Sequence, residues 1–204
     1  MLRLGLTGGI ATGKSAVAAM LRELRFDVLD ADSLARQLIE PSQPAYHEVV
    51  SEFGTSILDS DQSVHRAKLA AIVFTDPAKL ARLNAILHPR VEAAVVQQFA
   101  EWSRDGARDA AFVEAALLVE AGYLKHLDCL VVTWCRPEQQ LERLRARGLS
   151  DEDARRRIAA QLPVAEKLSY ATEKIDCSGS LEDTRAQVAA LAAKLRRPSK
   201  EVSS

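Results

Sequence analysis

Apolar side chains alternate at the start of the chain. Leu2, Leu4 and Leu6 mark a short strand that runs straight into glycines. Over residues 15–25, Val17, Ala18, Leu21 and Leu24 return at helical spacing, and residues 26–30 (FDVLD) form a second short apolar run that ends on an acidic residue. A strand, a glycine loop, a helix and a second strand in that order open an α/β unit. The connections are short enough for a parallel sheet.

The pattern then changes. Residues 33–104 read as successive helices punctuated by Pro41, Pro44, Gly54, Pro77 and Pro89, with few β-branched runs. Asp76-Pro77 has the form of an N-cap followed by proline at the first helical position. His88-Pro89 reads as a helix boundary more readily than as a reactive histidine. Such an insertion after the second strand forms a separate helical cap beside the sheet. Residues 111–113 and 130–133 (LVVT) resume the strand pattern, and 174–177 is a third, shorter run. Residues 136–169 are the most charged stretch, with Ser150 and Asp153 spaced as a capping box. A last helix over 180–196 precedes a polar tail expected to fray.

Composition narrows the class. A chain of 204 residues buries roughly 70% of its unfolded surface, so it needs neither disulfides nor a structural metal. Lys and Arg number 27 against 28 Asp and Glu, which excludes the basic excess of a nucleic-acid-coating protein. Cys129, Cys135 and Cys177 are too few and too scattered for a disulfide framework or a zinc site, and suit a reducing compartment. The N-terminus lacks the pattern of a signal peptide, and no apolar run approaches the ~18–20 residues of a membrane span. The expectation is a cytoplasmic protein with neither nucleic acid nor membrane as partner.

Gly8-Gly9-Ile10-Ala11-Thr12-Gly13-Lys14-Ser15 matches G-x-x-x-x-G-K-[ST] in full, between the first strand and the first helix. Glycines let successive N–H groups curl inward onto phosphate oxygens, and the helix N-terminus adds its unpaired donors. Lys14 can reach the β and γ phosphates, and the Ser15 hydroxyl is placed for Mg²⁺. The motif establishes nucleoside triphosphate binding but not the fate of the γ-phosphate.

Asp30-Ala31-Asp32 follows the second strand, at the carboxyl edge where the phosphate loop also lies. A carboxylate there could take a proton from an attacking hydroxyl or help hold the metal, while either one alone could simply cap the following helix. Arg143 and Arg147 lie one helical turn apart, and with Arg145, Arg155, Arg156 and Arg157 they suggest a closing lid over the triphosphate, against a solvated salt-bridge face as the plain alternative. Glu120, after the third strand, reads equally as a metal-side carboxylate or a helix cap.

Together these residues resemble the dephospho-coenzyme A kinase family over about residues 2–195. The resemblance is carried by LTGGIATGKS (6–15), DADSLARQLIEP (30–41), HRAKLAAIVF (65–74), LHPRV (87–91), LLVE (117–120), RLRAR (143–147) and RIAAQLPVAEK (157–167). It implies a three-layer α/β P-loop NTPase core with a parallel sheet, a helical substrate-binding insertion and a helical lid. The reaction implied is transfer of the ATP γ-phosphoryl group to the 3′-hydroxyl of dephospho-CoA, with Mg²⁺. By position, the core would comprise residues 1–32, 105–142 and 170–197, the CoA-precursor region 33–104, the lid 143–169 and a flexible tail 198–204. Asp32 would be the general base, with Lys14 and Arg143 also catalytic. Gly8, Gly9, Ala11, Thr12, Gly13, Lys14, Ser15, Ala16, Arg143 and Arg147 would bind ATP. Thr7, Asp32, Arg36, Arg66, His88 and Glu120 would lie on the acceptor side, and Ser15 would hold the metal. The chain departs from the family at Ala16 (commonly Thr), Ala116 (usually Pro), Thr172 (usually Asp) and Cys177 (usually Asn).

Two other functions share the phosphate loop. A kinase for a nucleoside or nucleoside monophosphate would use the same parts with a different acceptor. A non-catalytic nucleotide-binding regulator would need no base, which sets it against the Asp30–Asp32 pair and the arginines.

Overall fold

The computed structural model describes residues 1–73 and 75–196; the expected flexible tail, 198–204, and Phe74 lie outside the described residues. Five strands form one sheet in the order β2-β3-β1-β4-β5. They are β1 (Leu2–Gly8), β2 (Asp27–Asp30), β3 (Ala110–Glu114), β4 (Cys129–Trp134) and β5 (Glu173–Asp176). β1 lies parallel between β3 and β4, with Leu6 opposite Glu114 on one side and Val131 on the other. β5 runs parallel to β4, Trp134 opposite Asp176.

A central parallel strand is covered on both faces and therefore reads as unbroken apolar sequence. β3 is buried at every position, and β1 is buried from Leu4 onward. Helix α1 (Lys14–Glu23) supplies Val17, Ala18 and Leu21 to a core with Leu4, Leu6 and Phe112. Phe26 meets the Phe112 ring edge-on at 5.6 Å. The C-terminal helix α9 (Leu181–Leu195) adds Val188 and Leu191 to that core, and Ser180 caps it by accepting the Asp183 amide at 3.1 Å. Full burial of each such aliphatic side chain contributes about 1.5–3 kcal/mol.

The chain divides into two compact units. The first holds residues 1–29 and the chain from Phe99 onward, and the second is Asp30–Gln98. The second contains α2 (Ala31–Gln37), α3 (Pro44–Phe53), a 3-10 turn at Thr55–Ile57, α4 (Arg66–Val73) and most of α5 (Pro77–Arg104). It has its own small core of Val49, Ile57, Leu69 and Val73. Asp76 caps α5 as expected, its carboxylate accepting the Ala78 amide at 2.9 Å, with Pro77 first in the helix.

His88-Pro89 is a correction. The helix does not stop there; α5 continues through Pro89 to Arg104. Proline removes one backbone donor and crowds the preceding turn. The next residue reinforces that turn, because the Arg90 guanidinium donates to the Ile86 carbonyl at 2.6 Å while also pairing with Glu48.

The charged stretch folds as α6 (Pro137–Ala146), α7 (Asp151–Ala159) and α8 (Val164–Ser169), all in the first unit. Ser150 caps α7 as its spacing suggests, accepting the Asp153 amide at 3.1 Å. No helix among the described residues is long and apolar enough to cross a membrane.

Candidate active site

The loop between β1 and α1 has the curl that phosphate binding requires. Ala11 (φ 61) and Gly13 (φ 101) both lie in the left-handed region. Glycine adopts it freely, whereas for an alanine it costs roughly 1–2 kcal/mol. Gly13 is the N-cap of α1 and has no side chain to cap it. The Ala16 and Val17 amides bond the Gly13 carbonyl, and the Lys14 and Ser15 N–H groups that open the helix, with no carbonyl partner within it, can serve a ligand. Gly8 is required for another reason: a Cβ there would fall 2.2 Å from the Thr133 hydroxyl and 2.6 Å from that of Thr12. Those two buried hydroxyls are bonded to each other at 2.9 Å, and Thr12 also donates to the Gly9 carbonyl at 2.8 Å.

Lys14 is held by a residue that the sequence reading passed over. Its ammonium lies 2.9 Å from the carboxylate of Glu114, the last residue of β3. Glu114 is 5% exposed, and its second oxygen takes Arg22 at 3.4 Å. Two cations thus share one buried carboxylate, as burial of a charge demands.

Side chains from the charged stretch brace the same loop. Arg143 donates to the Ala11 carbonyl at 3.2 Å and to the Cys177 carbonyl at 2.6 Å, so it spans the phosphate loop and the end of β5. Gln140 donates to the Ile10 carbonyl at 2.6 Å, and Gln161 accepts the Ile10 amide at 2.8 Å. Ala11 also packs with Leu144 and Ala154 in an apolar seam between loop, α6 and α7. Arg147, by contrast, is the exposed C-cap of α6. Arg145 pairs with Asp151 at 2.5 Å and Arg156 with Asp153, the solvated pairing expected of a charge run.

Glu120 caps no helix among the described residues. Its carboxylate accepts the Leu162 amide at 3.0 Å and pairs at 2.8 Å with Lys167, whose side chain is fully buried. Lys167 also donates to the Ala116 carbonyl at 2.5 Å. The hydroxyl of Thr7, itself buried, donates to the same carbonyl at 3.2 Å.

In the second unit, Asp30 caps α2, its carboxylate accepting the Ser33 amide at 2.9 Å. Asp32 sits exposed in the first turn of that helix, Arg36 is exposed in its last, and Arg66 is exposed at the start of α4. His88 is half-buried, and burial pushes its imidazole below the ordinary value, with Glu92 pulling the other way.

The departures from the family pattern have local consequences. The Thr172 hydroxyl accepts the Leu130 amide at 3.1 Å, extending the β4–β5 pairing. Cys177 packs on Gly13, where an added Cβ would lie 2.8 Å from its sulfur, and burial pushes this thiol up to about 11. Ser15 lies exposed at the start of α1. The described residues contain no group of three or more His, Cys, Asp or Glu side chains that could cage a metal.

Comparison with known proteins agrees with this geometry. The sequence model of the dephospho-CoA kinase family matches residues 2–183. A dephospho-CoA kinase of Geobacillus kaustophilus is 41% identical over 191 residues, covering 93% of this chain and 94% of that protein. The solved structure of a Thermus thermophilus protein superposes with a TM-score of 0.80 at 33% identity, covering 96% of this chain and 98% of that one. The dephospho-CoA kinase of Campylobacter jejuni does so with a TM-score of 0.71 at 26% identity, covering 95% and 96%. With a complete phosphate loop on a P-loop kinase sheet and a family match over nearly its whole length, the chain belongs to the dephospho-CoA kinase family of ATP-dependent phosphotransferases.

Proposed function

We propose that this chain transfers the γ-phosphoryl group of ATP to the 3′-hydroxyl of dephospho-CoA in the cytoplasm, with Asp32 as general base. The observation that carries the reading is the phosphate loop itself, an uncapped helix N-terminus with Lys14 held beside it, in a chain of this family. Phosphoryl transfer needs little covalent help from the protein; it needs alignment and neutralisation of charge.

The amides of the loop from Ala11 to Ala16, with Gly8 and Gly9 allowing their approach, hold the phosphate oxygens, and Lys14 leaves Glu114 to meet them. Ser15 would hold Mg²⁺, which would supply neutralisation of charge on the triphosphate. The 3′-hydroxyl gives its proton to the Asp32 carboxylate as its oxygen bonds to the γ-phosphorus. The bond from that phosphorus to the bridging oxygen breaks, and its electron pair stays with ADP. Asp32 is the base that the resemblance of residues 30–41 to the family pattern implies, while the Asp30 carboxylate caps α2 at the Ser33 amide. Arg36, Arg66, His88, Thr7 and Glu120 serve the acceptor. Arg143 and Arg147 serve the nucleotide, and the segment 143–169 acts as a lid that excludes water.

A coupled ADP-release assay run with dephospho-CoA, AMP, CMP and no acceptor tests this. Release should require dephospho-CoA; equal release with AMP or CMP would assign a nucleotide kinase, and binding without release a regulator. Asp32→Asn should lower kcat by ~10²-fold or more with ATP affinity kept. Near-normal turnover would remove Asp32 from the role of base.

A further inference from the structure

The peptide groups on either side of Ile10 are each held by a glutamine. Gln161 accepts the Ile10 N–H at 2.8 Å, and Gln140 donates to the Ile10 C=O at 2.6 Å. The first bond fixes the Gly9–Ile10 peptide, whose carbonyl already serves Thr12. The second fixes the Ile10–Ala11 peptide. In a trans peptide the N–H points opposite to the C=O, so pinning the Ile10 carbonyl outward turns the Ala11 N–H to the other side. Ala11 then takes the left-handed conformation that starts the curl. Neither glutamine carries charge and neither belongs to the phosphate motif.

Their placement adds a second feature. Gln161 opens a short segment, 161–167, that is fastened elsewhere as well. The Leu162 amide goes to Glu120, and Lys167 goes to Glu120 and the Ala116 carbonyl. Val164 closes over Gly9, where an added Cβ would meet it at 2.8 Å. The segment therefore ties the phosphate loop to the turn that follows β3, the strand ending in Glu114.

We propose that Gln161, with Gln140 as its counterpart, is a positioning residue for the nucleotide: it sets the peptide planes that aim the phosphate-loop amides, and it makes their aim depend on the anchorage of segment 161–167. The proposal rests on the phosphate loop binding ATP, and it is independent of which alcohol is phosphorylated. Gln161 acts through backbone it holds.

Gln161→Met keeps the length of the side chain and removes the acceptor, while Gln161→Glu keeps an acceptor oxygen for the Ile10 amide. Calorimetric titration of the intact protein with Mg·ATP reads nucleotide affinity directly. For Gln161→Met the expected result is ~10-fold weaker ATP binding and a matching rise in KM for ATP, with KM for dephospho-CoA unchanged. Hydrogen exchange at the Ile10 amide should be slow in the wild type, fast in Gln161→Met and slow again in Gln161→Glu. A simple loss of packing would lower the melting temperature without this separation. The proposal is overturned if ATP affinity in Gln161→Met stays within twofold of wild type, or if both KM values rise together. A wild-type Ile10 amide that exchanges as fast as an exposed one overturns it as well, whether or not the variants fold. Failure of the wild-type chain to bind Mg·ATP would instead overturn the functional reading itself.

Discussion

Replacing Lys167 by Met tests the anchorage behind the phosphate loop. The Lys167 side chain is fully buried, and its ammonium makes two contacts, 2.5 Å to the Ala116 carbonyl and 2.8 Å to the Glu120 carboxylate. Methionine fills most of the same volume, so cavity formation is a minor cost. Removing one member of a buried pair typically costs about 3–5 kcal/mol, because the other charge is left uncompensated. Here the loss is softened on both sides. The Glu120 side chain is 23% exposed and still accepts the Leu162 amide, and Ala116 keeps the Thr7 hydroxyl at 3.2 Å. A destabilisation of about 2–3 kcal/mol is therefore expected, which for a protein of this size lowers Tm by about 4–12 °C. Urea unfolding followed by circular dichroism measures it. A Lys167→Met protein within about 0.5 kcal/mol of wild type would refute the idea that this contact fastens the segment.

Two further outcomes follow from the same geometry. Arg143→Ala removes the fork that joins the Ala11 and Cys177 carbonyls, so steady-state kinetics should show slower transfer and a higher KM for ATP; Arg143→Lys should not restore them, since one ammonium cannot reproduce a planar fork. If neither parameter moves, Arg143 braces the loop without serving the nucleotide. Burial lowers the His88 midpoint, so the folded protein keeps this imidazole neutral where the unfolded chain protonates it. The stability this contributes is complete above the ordinary value of 6.5 and is lost as pH falls through the lower, folded-state midpoint. An NMR titration should place that midpoint below 6.5, and a value at or above it would contradict the burial argument.

Much of the first unit was legible because its signals are local. Alternation in β1, the spacing of Val17, Ala18 and Leu21, and the phosphate motif each lie within a dozen residues and do not depend on distant partners. The Asp76-Pro77 helix start and the Ser150 cap were readable for the same reason. Pro89 misled because proline is a local breaker, whereas the Arg90 side chain that reinforces its turn is not a local signal. Glu114 closes β3 as Asp30 closes β2, so its place at a strand end was available; its burial against Lys14 was not, because that bond spans 100 positions. Gln140, Gln161 and Lys167 lie in a run of charge, where polar residues are expected to face water. Only the fold turns them inward.

The pairing of Lys14 with Glu114 changes how an incoming nucleotide meets the chain. The lysine is already charge-compensated in the chain alone, so under the function proposed above triphosphate binding would be an exchange of counter-ions and not the capture of a bare cation. The electrostatic gain would then be the difference between two pairings, which would temper affinity and ease release of the spent nucleotide. When phosphate departs, the carboxylate at the end of β3 is there to receive the lysine again, and the empty cradle need not strand a positive charge away from water.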